Sequence, residues 1–269
     1  MAQAINGKLI ASKIKRQLRE KLGKLKFTPK VVSFLIGDDP ASLLYTEMKQ
    51  KKAKDLGIDF QPLKYPSDAD FEIVANKIKK LNGDPDILGI MIQLPLPKEF
   101  LKDHHKNELL NLIDPKKDID GLNPTQSNFI PATARGVIRI LEYLDLNYER
   151  NIFAVVGSEG EVGQAIVFEL TNKGAVVIKV DKKLPETNLE DIKNADVVIS
   201  ATGVKNLIKP EDIKEEVVLI DVGLGDFNEE CYKKARMYTP KSGGTGPMTV
   251  ISLTENIIEA AISNKQHRN

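Results

Sequence analysis

Ile152-Phe153-Ala154-Val155-Val156-Gly157-Ser158-Glu159-Gly160-Glu161-Val162-Gly163 reads as a buried strand that runs into a glycine-bearing turn and the start of a helix. The apolar run is short, β-branched and bounded by turn residues, as a strand covered on both faces is. Glycines at such a turn bring the backbone close to a pyrophosphate, and the following helix points its amide-rich, positive end at the same group. A helical run from Gln164 to Asn172 and a second strand, Val176–Val180, supply the context that a bare glycine pattern lacks. Asp181 ends that strand, about twenty residues beyond the glycines, where an acid accepts hydrogen bonds from the ribose of NAD and repels the extra phosphate of NADP. Lys182 and Lys183 follow at once and suit a phosphate, so these residues leave both dinucleotides open. The candidate dinucleotide set is therefore Gly157, Ser158, Glu159, Gly160, Val162 and Gly163 with Asp181 and Lys182. Ala201, Thr202 and Gly203 after the strand Val197–Ser200, and Gly223 after Val217–Val222, extend it along the sheet's carboxyl edge, although a tight turn needs the same small residues.

The same alternation continues outward. On the N-terminal side, Val31–Ile36, Phe60–Lys64 and Ile87–Ile92 read as strands. Lys8–Leu25, Ala41–Leu56, Phe71–Leu81 and Phe100–Leu110 carry apolar residues at three- and four-residue spacing and read as helices. Strand and helix in turn predict parallel sheets covered by helices. Asp114–Pro131 breaks the pattern with Asp-Pro, Asp-Gly, Asn-Pro and Ile-Pro steps and predicts a loop between domains, with Ala132–Leu144 as a connecting helix. The expected fold is α/β and two-lobed. An N-terminal α/β catalytic domain spans 1–131 and is completed by a C-terminal helix within 247–269, periodic over Pro247–Ser263. A Rossmann-type dinucleotide-binding domain spans 132–246.

Composition narrows the partners. The 39 basic and 38 acidic side chains leave a net charge of +1, so no global field recruits nucleic acid or an anionic membrane, and a small-molecule partner is expected. Cys231 has no second cysteine to pair with, and no signal-peptide core or spanning apolar run occurs, which fits a reducing cytoplasm. Cys231 reads as a buried small apolar residue. His104, His105 and His267 do not fall at metal-ligand spacing, and no metal site is expected.

The first half also carries chemistry. Pro40-Ala41-Ser42-Leu43-Leu44-Tyr45-Thr46-Glu47-Met48-Lys49 opens a helix, so Tyr45 and Lys49 share one face at i and i+4. A solvated face would look the same. Gln93 ends a strand within Gln93-Leu94-Pro95-Leu96-Pro97, at a carboxyl edge where open α/β sheets collect ligands. In Lys117-Asp118-Ile119-Asp120-Gly121 an aspartate is placed to accept paired hydrogen bonds from a planar, guanidine-like heterocycle, or simply to form a turn.

Taken together with Gly243-Gly244-Thr245-Gly246-Pro247-Met248-Thr249, these motifs resemble the bifunctional methylenetetrahydrofolate dehydrogenase/methenyltetrahydrofolate cyclohydrolase family, in the family's order and from about Asn6 to Ala261. The resemblance implies an enzyme of one-carbon metabolism with its folate site in the cleft between two lobes, tetrahydrofolate derivatives as substrates, NADP as the usual cofactor, and a homodimer joined through the nucleotide-binding lobes. It implies that Tyr45 borders the folate, Lys49 is the acid/base, Gln93 holds Lys49, and Asp120 grips the pterin ring. Ser42, Leu94, Pro95, Gly243, Gly244 and Pro247 would line the substrate, with Gly244 and Thr245 also meeting the cofactor. Hydride transfer from a methylene carbon needs mainly alignment, because the folate nitrogen's lone pair expels the hydride. Hydrolysis of the resulting cation needs a group to manage protons on the attacking water, which an amine drawn out of bulk water can do.

The chain departs from the family pattern on the cofactor side. Ser158 stands where the family usually has an arginine that helps hold the 2′-phosphate of NADP, so Ser158 and Asp181 lean towards NAD. The family's Pro-Cys-Thr-Pro segment is Pro131-Ala132-Thr133-Ala134 here, the stretch from Asp120 to Pro131 is shorter than usual, and Lys241 precedes the Gly243-Gly244 pair.

Overall fold

The computed structural model describes residues 2–102, 104–123, 126–181 and 189–268. In chain order the elements begin with β1 (Gln3–Ala4), α1 (Gly7–Gly23), β2 (Lys30–Ile36), α2 (Pro40–Lys54), β3 (Asp59–Tyr65), α3 (Phe71–Asn82) and β4 (Ile87–Ile92). Short helices α4 (Lys98–Leu101) and α5 (Lys106–Leu110) precede α6 (Ala132–Tyr143). The second half runs β5 (Ile152–Val156), α7 (Glu161–Asn172), β6 (Val176–Val180), α8 (Leu189–Ile192), β7 (Val197–Ser200), β8 (Val217–Asp221), α9 (Cys231–Lys234), β9 (Ala235–Tyr238) and α10 (Thr245–Arg268). Among the described residues no helix is long and apolar enough to cross a membrane.

Two compact units result, and neither is one stretch of sequence: Met1–Ile14 with Thr133–Thr249, and Lys15–Ala132 with Val250–Asn269. The N-terminal residues thus group with the later half rather than with the expected span 1–131. The reason is β1, which pairs in parallel with β9, Gln3 opposite Met237 and Ala4 opposite Tyr238.

The unit built on Lys15–Ala132 has a three-stranded parallel sheet in the order β3-β2-β4. Strands β2 and β4 are buried almost throughout, as strands covered on both faces are. One core packs Val32, Phe34 and Ile36 of β2 with Ile90 and Ile92 of β4 against Val74, Ile78 and Leu81 of α3. Because the chain leaves β2 first for β3 and later for β4 on its other side, the ends of β2 and β4 form a point where the strand order reverses.

The other unit has a six-stranded sheet, β1-β9-β8-β7-β5-β6, with every pairing parallel. Its reversal lies between β5 and β7. Ala154, Val156, Val198, Val217 and Leu219 form the middle of the core with Phe227 and Cys231. Cys231 is fully buried, its Sγ donates to Ile208 O at 3.3 Å, and burial pushes its thiol up to about 11, far from thiolate chemistry.

Three helices differ from expectation. The single helix over Phe100–Leu110 is two, because Lys102 ends α4 at φ 47° and His105 starts α5 afresh. His105 Nδ1 accepts from Asn107 N while its own N–H donates to Glu108 Oε1, a local exchange that apolar periodicity does not reveal. The helix after the glycine turn begins at Glu161 rather than Gln164, and the last helix runs Thr245–Arg268, beyond both expected ends.

Candidate active site

Lys49, Gln93 and Asp120 come together in the three-stranded unit. Asp39 caps α2, its carboxylate accepting from Ser42 N at 2.8 Å, which fixes the first turn of the helix shortly after β2. Three turns along, Lys49 is buried despite its charge. Its Nζ donates to Gln93 Oε1 at 3.1 Å and lies 3.7 Å from Asp120 Oδ2. Gln93 follows β4 and is anchored across the reversal point by its N–H, which donates to Phe34 O at 2.8 Å. Ser42 Oγ donates to Leu94 O at 3.3 Å and ties the helix start to the same segment; the Leu94–Pro95 bond is cis. Leu94 is half-buried and Pro95 exposed. Tyr45 lies one helical turn before Lys49 and is half-buried.

The two aspartates of the Lys-Asp-Ile-Asp-Gly loop do different things. Asp118 is 1% exposed and turned into its own loop, accepting from Asn123 N at 2.8 Å and Leu122 N at 3.3 Å. Burial raises its carboxyl above the ordinary range against the pull of those amides. Asp120 instead faces Lys49, with its backbone held by Ala132 N at 3.1 Å.

The six-stranded unit carries the glycine turn. Gly157 adopts φ 83°, and its N–H and that of Ser158 donate to Val180 O at 2.8 and 3.1 Å. A Cβ on Gly163 would overlap Gly157 O, so only glycine lets α7 start this close to β5. Gly160 is the N-cap of α7 and contributes no side-chain cap, so the cap residue leaves the first-turn amides to other acceptors. A cradle of this kind fits a pyrophosphate. Ser158 is buried, Glu159 exposed and Val162 half-buried. Asp181 follows β6 directly, and Lys182 lies outside the described residues. Ala201-Thr202-Gly203 sits beside Gly157, where a Cβ would come within 3.0 Å of Ala201 O. Gly243, Gly244, Thr245 and Pro247 belong to this unit and not to the one that holds Lys49. Gly243 takes φ 83°, Gly244 packs its carbonyl against Gly7, and Thr245 Oγ1 donates to Asp221 O at 3.0 Å. Lys241, unexplained by sequence, pairs with Glu229 at 3.6 Å.

Residues 5–120 match the family described as tetrahydrofolate dehydrogenase/cyclohydrolase, catalytic domain, and residues 131–265 match its NAD(P)-binding domain. The chain belongs to this family. It is similar to the bifunctional protein FolD of Lactobacillus acidophilus, with 36% identity covering 96% of this chain and 97% of that one. Among solved structures it resembles the bifunctional FolD enzyme of Campylobacter jejuni, at 30% identity and TM-score 0.89 over 98% of this chain and 99% of that one. The enzyme of Trypanosoma brucei, solved with NADP and an inhibitor, matches at 26% identity and TM-score 0.90 over 100% and 99%.

Within this family member, sequence reading overlooked Asn256. It is fully buried in α10, and its Nδ2 donates to Ile119 O at 2.8 Å and Ile130 O at 3.0 Å, holding both ends of the loop that presents Asp120. Apolar periodicity in α10 hides such a residue, since a polar side chain on a buried face carries no mark of its partner. Asn256→Leu strips the donors from two carbonyls and is expected to lower stability by roughly 1–3 kcal/mol. Urea unfolding checks this; an unchanged midpoint would show that other donors replace the amide.

Proposed function

We propose that this family member oxidises 5,10-methylenetetrahydrofolate and hydrolyses the 5,10-methenyl product to 10-formyltetrahydrofolate, with Lys49 at the centre of the hydrolytic step. The observation that carries this reading is a buried lysine amine held at 3.1 Å by Gln93 and 3.7 Å by Asp120. When bound, the oxidised dinucleotide accepts the hydride released from the methylene carbon. In hydrolysis, water adds to the methenyl carbon and the amidinium carbon–nitrogen bond on the N5 side breaks. Lys49 relays one proton of the water to N5, and the other leaves to solvent as the cation becomes the neutral formyl product. Gln93 keeps the Lys49 amine in one place, Asp120 accepts from the amino-pyrimidine edge of the pterin, and Tyr45 borders the ring. Ser42, Leu94 and Pro95 complete the proposed folate contacts within the unit that holds Lys49, and the same reading carries the homodimer that the resemblance implies.

For the dinucleotide, the reading places the pyrophosphate at the first turn of α7. Ser158, buried and without the positive charge that would pair with a 2′-phosphate, and Asp181 directly after β6 support NAD over NADP. Absorbance assays with methylenetetrahydrofolate and each dinucleotide in parallel test both points. Reduction with NAD at the higher kcat/KM is expected. Faster reduction with NADP would overturn the preference, and hydrolysis of added methenyl-folate without any reduction would leave a cyclohydrolase alone.

A further inference from the structure

Asp226 lies at the end of the Gly223-Leu224-Gly225 turn that follows β8, and it is 0% exposed. Its Oδ2 accepts from Ser200 Oγ at 2.6 Å, Thr202 N at 2.8 Å, Thr202 Oγ1 at 2.8 Å and Gly203 N at 3.3 Å. One carboxylate oxygen thus gathers the end of β7 and the whole turn beyond it. The other, Oδ1, is buried with no hydrogen-bond partner among the described residues. A buried carboxylate with one oxygen crowded and one idle is a costly plug if filling space were its only task.

Its surroundings fix where it stands. Asp221 Oδ2 accepts from Gly225 N at 2.7 Å, and Asp221 Oδ1 from Asp226 N at 3.5 Å, so a second buried carboxylate shapes the turn that carries the first. Gly223 is bare where a Cβ would run into the Asp226 carboxylate, which accounts for the glycine without any ligand. The turn that Asp226 gathers touches Gly157 at the reversal point between β5 and β7, where an α/β sheet takes its ligand.

We propose that Asp226 is a positioning residue for the dinucleotide, setting the Ala201–Gly203 turn against Gly157 so that the backbone of both turns meets the ligand in one arrangement. It makes no contact with the ligand itself, being sealed from the surface. The inference rests on the proposed dinucleotide site at α7.

Dissociation constants for NAD and NADP, from calorimetry on the intact enzyme, test it alongside hydrolysis of methenyl-folate without dinucleotide and the thermal midpoint. Asp226→Ala is expected to raise the dissociation constant about tenfold or more, with hydrolysis within about twofold of wild type. Asp226→Asn keeps a carbonyl oxygen for the same donors and is expected to restore most of the affinity. Ser200→Ala removes one donor of four and is expected to weaken binding about two- to fivefold, which carries the test should Asp226→Ala fail to fold. Unchanged affinity in Asp226→Ala and Ser200→Ala would overturn the proposal, as would hydrolysis falling in step with affinity; a lower midpoint alone is expected from the lost hydrogen bonds. Wild-type protein that binds neither dinucleotide would overturn the underlying reading as well, whereas wild-type binding with insensitive variants would overturn this proposal alone.

Discussion

Lys49→Met is expected to slow hydrolysis of methenyltetrahydrofolate by about 10²–10⁴-fold, the range that a positioned proton-transfer group contributes. Methionine fills much of the lysine's volume, so the buried pocket beside Gln93 stays occupied while the amine disappears. The loss of charge also leaves Asp120, 3.7 Å from the former amine, without its ion-pair partner. Methylene-folate oxidation needs alignment more than proton transfer, so it should outlast hydrolysis and methenyl-folate should accumulate in the variant. Its absorbance band, followed with dinucleotide present, reads this directly. Equal losses in both steps would show that Lys49 serves folate binding rather than water chemistry.

Gly163→Ala should do the reverse. The added methyl meets Gly157 O, and the rest of the same peptide unit lies close behind it, with Gly157 C at 2.8 Å and Ser158 Cα at 2.9 Å. No side chain can swing aside, so α7 must shift away from the turn at a cost of about 1–3 kcal/mol. A displacement of about 1 Å at a positioning element costs on the order of 10² in rate. Dinucleotide-dependent oxidation should fall by about that factor while hydrolysis of supplied methenyl-folate persists. Gly160→Ala, whose Cβ would stand at an ordinary 3.4 Å from the same carbonyl, should lose far less. Comparable kinetics in both variants would disprove the steric account.

What could be read from the sequence follows from the range of the forces involved. Strands such as Ile87–Ile92 and Ile152–Val156 are buried on both faces, so burial writes itself into consecutive apolar residues. The glycine turn was legible because strand, turn and helix are contiguous. Strands β1 and β9 were not: Gln3-Ala4 is too short for a pattern, and Ala235-Arg236-Met237-Tyr238 lies at the sheet's flank with a charged residue inside it. Lys49 and Gln93 stand out as candidates from their local settings and the family resemblance, yet their 3.1 Å contact spans 44 positions and exists only once β2 and β4 are paired. Asp226 and Asn256 mark the limit. Each is a lone polar residue whose partners lie 23–26 and 126–137 positions away, and neither its type nor its neighbours distinguish it from a turn former or a solvated helix residue.

The pairing of β1 with β9 also orders events during synthesis. Gln3 and Ala4 leave the ribosome long before Met237 and Tyr238, so one edge of the six-stranded sheet stays open throughout translation of the intervening chain. The β2-β3-β4 sheet, whose strands are neighbours in sequence, is complete far earlier. Closing the long loop costs little more than closing one half its length, because the penalty grows only logarithmically. The delay is therefore a matter of timing rather than of stability: the three-stranded sheet is finished while β1 still waits, and the edge of the six-stranded sheet is paired only once β9 has been made.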